Sequence, residues 1–451
     1  MITLAHAHGF GERHELPLPL AVYLAAAGMT VILSFLAMAW FSRRASGVGE
    51  GFRLNLLATR PGRVLASEPV LFVLRLAAVA LFVLVVAAGL LGTQSPLKNL
   101  APAFVWALWW VGMTYVSALA GDLWAVVNPL DTLFRWAEAA YARLRPGRRL
   151  SLHLPYPGAA GVWPAAVLFL AFAWMELVWE GADRPASVSL AILAYAALAW
   201  TGMALFGRRE WLRRGEAFAV VFGLLARFSP TEVREVEGRR EWNLRPYAVG
   251  LLSREPAGAS EVALIAFMLA AVTFDGLRET PLWTSAGAAD TVGLIGGALA
   301  LLAAYLAVCR MMARLGEDLQ PWRRTAGLFI FTLIPIAIAY HLVHYLSFLV
   351  SVLQYAIPLA SDPLGLGWDL FGGATHFVRP GIVDAKTIWT VAVPAIVIAH
   401  VLAVCLAHLL ALREFPGRRA ALRSQYPMVA LMIAYTMSSL WIIAQPIVIE
   451  R

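Results

Sequence analysis

Four histidines stand where this chain is otherwise apolar. His341 and His344 lie in the stretch 327–353, and His400 and His408 lie in 387–411. Each stretch exceeds the roughly 20 residues that a helix needs to cross a bilayer. An ionisable side chain at that depth is costly, so it faces the protein interior and marks a pathway or a site. His341 and His344 are three residues apart and share a helix face. Tyr345 and Tyr340 add hydroxyls to the same strip. Pro335 and Pro394 sit one to two turns from His341 and His400, and each frees a backbone carbonyl. Both are expected helix breaks. His400 and His341 fall near the middle of their stretches, and His408 lies roughly 12 Å along the helix from His400.

Several chemistries suit such a set. Neutral imidazole ligates zinc, copper, nickel or iron, which makes His341, His344 and His400 a candidate metal set. Two facing histidines can hold a b-type haem. Histidines in series relay protons, and histidines between helices also simply hydrogen-bond them together. Two carboxylates, Glu176 and Asp275, fall at the same outer-half depth as His344, which allows a chamber of His341, His344, Glu176 and Asp275, the alternative being carboxylates that only anchor their helices at the interface. His6, His8 and His14 fall in the outer arm and His376 in the outer loop; the His6-Ala7-His8 spacing suits loose binding of a soft divalent ion, the alternative being a polar tail with chance histidines.

The elements that position these groups follow from composition. Of 451 residues, 60% are hydrophobic and only 14% charged, against about 25% charged in soluble domains. This is the composition of an all-α, polytopic transmembrane helix bundle. Ten spans can be drawn, at 18–41, 70–92, 101–121, 162–180, 187–207, 261–276, 289–309, 327–353, 387–411 and 428–447. Alternate loops then carry 28 of the 36 Lys and Arg, the other loops and the termini carry 7, and Arg75 lies in a span. Basic loops face the cytoplasm, so both termini are expected outside. The net charge of +8 is thereby assigned to topology and lipid headgroups rather than nucleic acid. Cys309 and Cys405 both fall in spans, so no structural disulfide is expected.

The expected organisation is an outer arm (1–17), a first five-span half (18–207), a basic cytoplasmic linker with short amphipathic helices (208–260) and a second five-span half (261–451). That parity allows an inverted repeat of the kind transporters use. Asn128-Pro129-Leu130-Asp131 opens an amphipathic helix carrying Leu130, Leu133, Phe134, Ala137, Tyr141 and Leu144 on one face. Ser229-Pro230-Thr231-Glu232 has the form of a capping box and predicts a second short helix. Between these, Glu216–Phe228 is apolar but too short to span. The outer loop 354–386 contains Ser361–Gly373, rich in Gly, Trp and Asp, and predicts a tight turn that caps a site or receives a periplasmic partner.

Phosphate-loop, zincin and nucleophile-elbow motifs are absent, which argues against an enzyme. The strings Gly9-Phe10-Gly11-Glu12-Arg13, Leu16-Pro17-Leu18-Pro19-Leu20, Asn128-Pro129, Tyr340-His341-Leu342-Val343-His344-Tyr345, Ser361-Asp362-Pro363 and Gly367-Trp368-Asp369-Leu370-Phe371 resemble a group of bacterial polytopic membrane proteins. That resemblance implies a multi-pass protein of the bacterial inner membrane and no particular activity. The leading expectation is a transporter or permease for a small solute, either a transition-metal cation or a proton-coupled substrate. His341, His344 and His400 would form its midplane site, with His408, Tyr345, Glu176 and Asp275 along the path. A haem-binding or quinone-linked electron-transfer subunit is the alternative, and a non-catalytic assembly or anchoring protein the second. The cofactor, transition metal or haem b, stays open.

Overall fold

The computed structural model describes residues 14–41, 52–317, 321–373, 376–379 and 383–449. His6, His8, Arg13, Arg43 and Arg44 lie outside these residues, and only the backbone of His14 is described. In chain order the principal helices are α1 (Leu20–Phe41), α2 (Glu68–Leu91), α3 (Leu100–Leu119, π-helical over Ala103–Val111), α4 (Pro129–Leu144) and α5 (Trp163–Leu177). They continue with α6 (Pro185–Phe206), α7 (Ala217–Ala226), α8 (Ala259–Arg278), α9 (Asp290–Leu315) and α10 (Trp322–Phe329). The last four are α11 (Ile334–His344), α12 (Leu346–Ser361), α13 (Ala385–Glu414) and α14 (Gly417–Ile447). Ten helical stretches among the described residues are long and apolar enough to cross a membrane, with α10 and α11 counting as one. The all-helical reading therefore holds.

Two expected elements take other forms. The 327–353 span is instead Trp322–His344, in which α10 passes through a 3-10 turn at Ile330–Leu333 into α11. It ends at Tyr345, and α12 starts as a separate helix. His341 and His344 thus stand in the last turn of their span rather than at its middle. The break falls just ahead of Pro335, whose missing N–H suits the first turn of α11. Pro394, by contrast, lies inside a continuous α13.

The second correction concerns Ser229–Glu232, which opens no helix. Thr231–Val236 (β3) and Arg239–Leu244 (β4) form an antiparallel hairpin, with Leu54–Asn55 (β2) on the other edge of β4. The two connecting residues, Glu237 (φ 50) and Gly238 (φ 76), both take positive φ. That is the two-residue turn that matches strand twist. The Ser229 hydroxyl is spent on the carbonyls of Ala226 and Thr231 rather than on capping N–H groups. Short strands β1 (His14–Glu15) and β5 (Val448–Ile449) pair in parallel. The Asn128 helix start forms as expected: its side chain accepts from the N–H of Leu130 and Asp131.

The helices pack as two compact units. One comprises 52–246 and 348–380, with α2 against α6 and α4, and α7 against α3 and α5. The other comprises the described residues of 14–41, 247–347 and 383–449. There α13, α14 and α1 pack on one another, α9 packs on α8 and α14, and α11 lies between α8 and α13. This division does not follow chain order, because α1 packs with the later helices. Within this second unit, the apolar 18-residue windows of Trp322–His344 and Ala259–Arg278 are 94% and 78% buried, whereas that of Glu68–Leu91 in the first unit is 11% buried. The most enclosed helices are those that carry Asp275, His341 and His344.

The segment Ser361–Gly373 belongs to the first unit and is tightly built. Asp362 accepts from the N–H groups of Leu366 (2.9 Å) and Gly367 (2.7 Å), and the Ser361 hydroxyl accepts from Phe371 and Gly373. The carbonyls of Pro363 and Leu364 accept from Leu100 and Thr93. Gly365 has φ +67, and a Cβ there would lie 2.3 Å from Thr93 Cγ2 and 2.4 Å from the Lys98 carbonyl oxygen. Gly365→Ala is expected to lower stability by about 1–3 kcal/mol, read as a fall in thermal midpoint in detergent.

Candidate functional site

The site grows from α8. This helix is buried along most of its length, yet it carries a carboxylate, Asp275, only 2% exposed. Asp275 Oδ2 accepts from the Tyr345 hydroxyl (2.7 Å) and stands 2.9 Å from His344 Nε2, and Oδ1 accepts from Arg278 Nε (3.1 Å). Arg278 is one turn along α8, so the helix supplies both acid and cation. His344 and Tyr345 come from the end of α11, where the Tyr345 N–H closes the last turn onto the His341 carbonyl. The ring of His344 stacks on Tyr340 and meets Tyr345 edge-on, and His341 lies 4.7 Å from Tyr345 between ring centroids. A carboxylate in contact with a guanidinium, a phenol and an imidazole has the donors to hold its negative charge and a ring with which a proton can be exchanged.

A second polar layer continues from it. Thr273, two residues before Asp275, donates to the Leu269 carbonyl and hydrogen-bonds the Tyr435 hydroxyl. The Tyr435 ring lies 6.1 Å from that of His400. His400 Nδ1 is 2.8 Å from the Ile396 carbonyl oxygen. A carbonyl only accepts, so Nδ1 carries the hydrogen and Nε2 presents a lone pair. Nε2 is buried and has no hydrogen-bond partner among the described residues, and the same holds for the Tyr340 hydroxyl. Gly276 keeps the Tyr340 hydroxyl close to α8: a Cβ there would lie 3.0 Å from it and 2.5 Å from Ile442 Cγ2. Gly276→Ala is expected to push α14 and Tyr340 away and lower the thermal midpoint by the equivalent of about 1–3 kcal/mol.

His408 is engaged separately. The Gln425 amide donates to the Ala421 carbonyl at 2.6 Å, which leaves its oxygen facing His408 Nδ1 at 3.0 Å. His408 therefore donates from Nδ1 and ties α13 to α14.

Of the expected residues, the structure assembles Asp275, His344, Tyr345 and His341. It leaves His400 one layer away and His408 apart. Glu176 lies on α5 in the first unit, whereas the other members lie in the second. His376 lies in an exposed segment. Among the described residues, no three His, Cys, Asp or Glu side chains are grouped to hold a metal ion, so the set His341, His344 and His400 is not assembled as a metal centre. Sequence reasoning missed Arg278, Thr273 and Tyr435. The signal that would have found the last two is a polar side chain within an apolar span.

It also missed Glu216, a fully buried carboxylate of the first unit. Glu216 caps α7, accepting from the N–H groups of Phe218 (3.2 Å) and Ala219 (2.7 Å). It also accepts from the Tyr195 hydroxyl and, at 3.5 Å, from Trp124 Nε1 and Asn128 Nδ2. Trp109, from the π-helical part of α3, packs its ring 4.5 Å from Phe218 and 5.4 Å from Trp124. Burial pushes the Glu216 carboxyl above its ordinary value, while the hydrogen bonds from Tyr195, Ala219, Phe218 and Trp124 pull it down. No protein-family model, curated protein or solved structure matches this chain.

Proposed function

We propose that this chain is a multi-pass protein of the bacterial cytoplasmic membrane that moves a small solute in exchange for, or together with, protons. Both termini and the loop 354–386 face outward in this reading, because the basic loops then face the cytoplasm. One observation carries it: a carboxylate enclosed by apolar helices and bonded to an imidazole, a phenol and a guanidinium. Buried acid–histidine pairs at membrane depth serve as proton relays. Protons load at Asp275 and His344 in the last turns of α8 and α11. The Thr273–Tyr435 bond and His400 continue inward. The solute competes for, or is bound beside, the same polar layer, so its binding and proton release are linked.

The test uses everted membrane vesicles energised by respiration and a fluorescent reporter of the proton gradient. Inorganic cations and small organic cations, acids and neutral solutes are added one at a time. At least one should collapse part of the gradient in vesicles holding the protein and not in empty ones. If none does, with the protein shown to be inserted, proton coupling is wrong.

A second reading, haem ligation, has one observation in its favour. His400 donates Nδ1–H to a carbonyl and leaves Nε2 available, the hydrogen bond that commonly orients a metal-ligating histidine. A visible spectrum of the purified protein, before and after dithionite, checks it. A Soret band that shifts on reduction supports haem, and a featureless spectrum removes it.

A further inference from the structure

The end of α4 runs into the sequence Arg143-Leu144-Arg145-Pro146-Gly147-Arg148-Arg149. Arg148 N–H bonds the Arg145 carbonyl at 3.0 Å, with Pro146 second and Gly147 (φ +80) third. That is a type II turn, which brings its first and fourth residues together. All four arginines are exposed, and none forms an ion pair with a described residue. The nearest acid on this segment's anchor, Glu138, is already engaged by Arg208 (3.4 Å) and by the Ser151 hydroxyl (3.2 Å).

The turn is fixed at the edge of the apolar helices. Leu152 and Leu154 donate to the carbonyls of Ala204 and Leu205, the last residues but one or two of α6. Trp136 of α4 packs against Phe72 in the second turn of α2, whose neighbours Val73 and Leu76 are exposed. Beside the arginines, Leu144 is 78% exposed and Leu152 67%. Unneutralised guanidinium groups flanked by bare leucines, at the level where two apolar spans end, match a phosphate with acyl chains attached.

We propose that this turn is a binding site for an anionic phospholipid. Its phosphodiester sits among Arg143, Arg145, Arg148 and Arg149, and its acyl chains run along Leu144 and Leu152. This rests on the multi-pass reading but not on transport, so either can fail alone. A cation attracted to an anionic headgroup contributes about fivefold in affinity per residue near the surface.

The test is native mass spectrometry of the full chain released from vesicles of equal phosphatidylethanolamine and phosphatidylglycerol. The wild type should retain phosphatidylglycerol in excess. The R143Q/R145Q/R148Q/R149Q variant should lose that excess by tenfold or more, ~fivefold for each arginine that contacts the lipid. Leu144→Ser with Leu152→Ser should reduce it with the arginines intact, and added inorganic phosphate should leave it in place. Equal retention of both lipids, an unchanged quadruple variant with an unchanged thermal midpoint, or displacement by inorganic phosphate alone would each overturn the proposal.

Discussion

Asp275→Asn is expected to abolish solute-driven proton movement in vesicles while leaving a folded protein. Asparagine keeps the shape and one acceptor for Tyr345 or His344, but it neither ionises nor takes up a proton. If Asp275 loads the proton, coupling falls to background rather than by a fraction. Asp275→Ala should be harsher. It removes the acceptor of three donors and leaves Arg278, only 18% exposed at its side chain, without its carboxylate. Breaking a buried pair by removing one partner costs about 3–5 kcal/mol. The measurement is paired: the vesicle assay and thermal unfolding on the same preparations. Wild-type coupling in the Asn variant would exclude Asp275 as the loading site.

Glu216→Ala is the second large effect, expected to cost about 2–5 kcal/mol. The change removes the cap of α7, worth about 0.5–2 kcal/mol. It also strands the Tyr195 hydroxyl, at about 1–3 kcal/mol for a buried donor left unmade, and removes the long 3.5 Å contacts of Trp124 and Asn128, which add little. Glu216→Gln keeps the shape and separates charge from packing. The folded-state value of Glu216 lies above its ordinary 4.5. Below 4.5 both states hold the proton, and the folded state bears no penalty for a buried charge. As pH rises past 4.5 the unfolded chain ionises first, so stability falls until the raised folded value is passed, and stays lower beyond it. Unfolding of the wild type across this window should show that decline, and the Gln variant should lack it. An equal slope in both would assign the pH dependence to other groups.

The residues that fold well beyond local pattern explain where sequence reasoning stopped. Ser229-Pro230-Thr231-Glu232 reads locally as a helix cap, yet Glu232 is drawn into ion pairs with Arg245, just past the partner strand, and with Arg53, far away in sequence, and the chain there becomes a strand. Local signals are weak where charged groups find distant partners. The 327–353 stretch looks continuous because hydropathy does not register a break at Tyr345. That break is stabilised by a hydroxyl bonding a carboxylate on another helix.

Ten apolar helices, the approximate limits of all but the eighth and tenth, the Asn128 helix start and the placing of histidines inside apolar segments were determined by the sequence itself, since length, hydropathy and capping are local properties. So were Asp275, His341, His344 and Tyr345 as candidates, because an ionisable or hydroxylated side chain in an apolar stretch is visible without knowing its neighbours. Only the tertiary structure decided which of them meet. It joined Asp275 to His344, Tyr345 and Arg278, put Glu176 in the other unit, and engaged His408 with Gln425. It also showed Glu216 to be a buried hub. Adjacency between helices is set by which faces pack, and all apolar faces of a membrane-type helix look alike in one dimension.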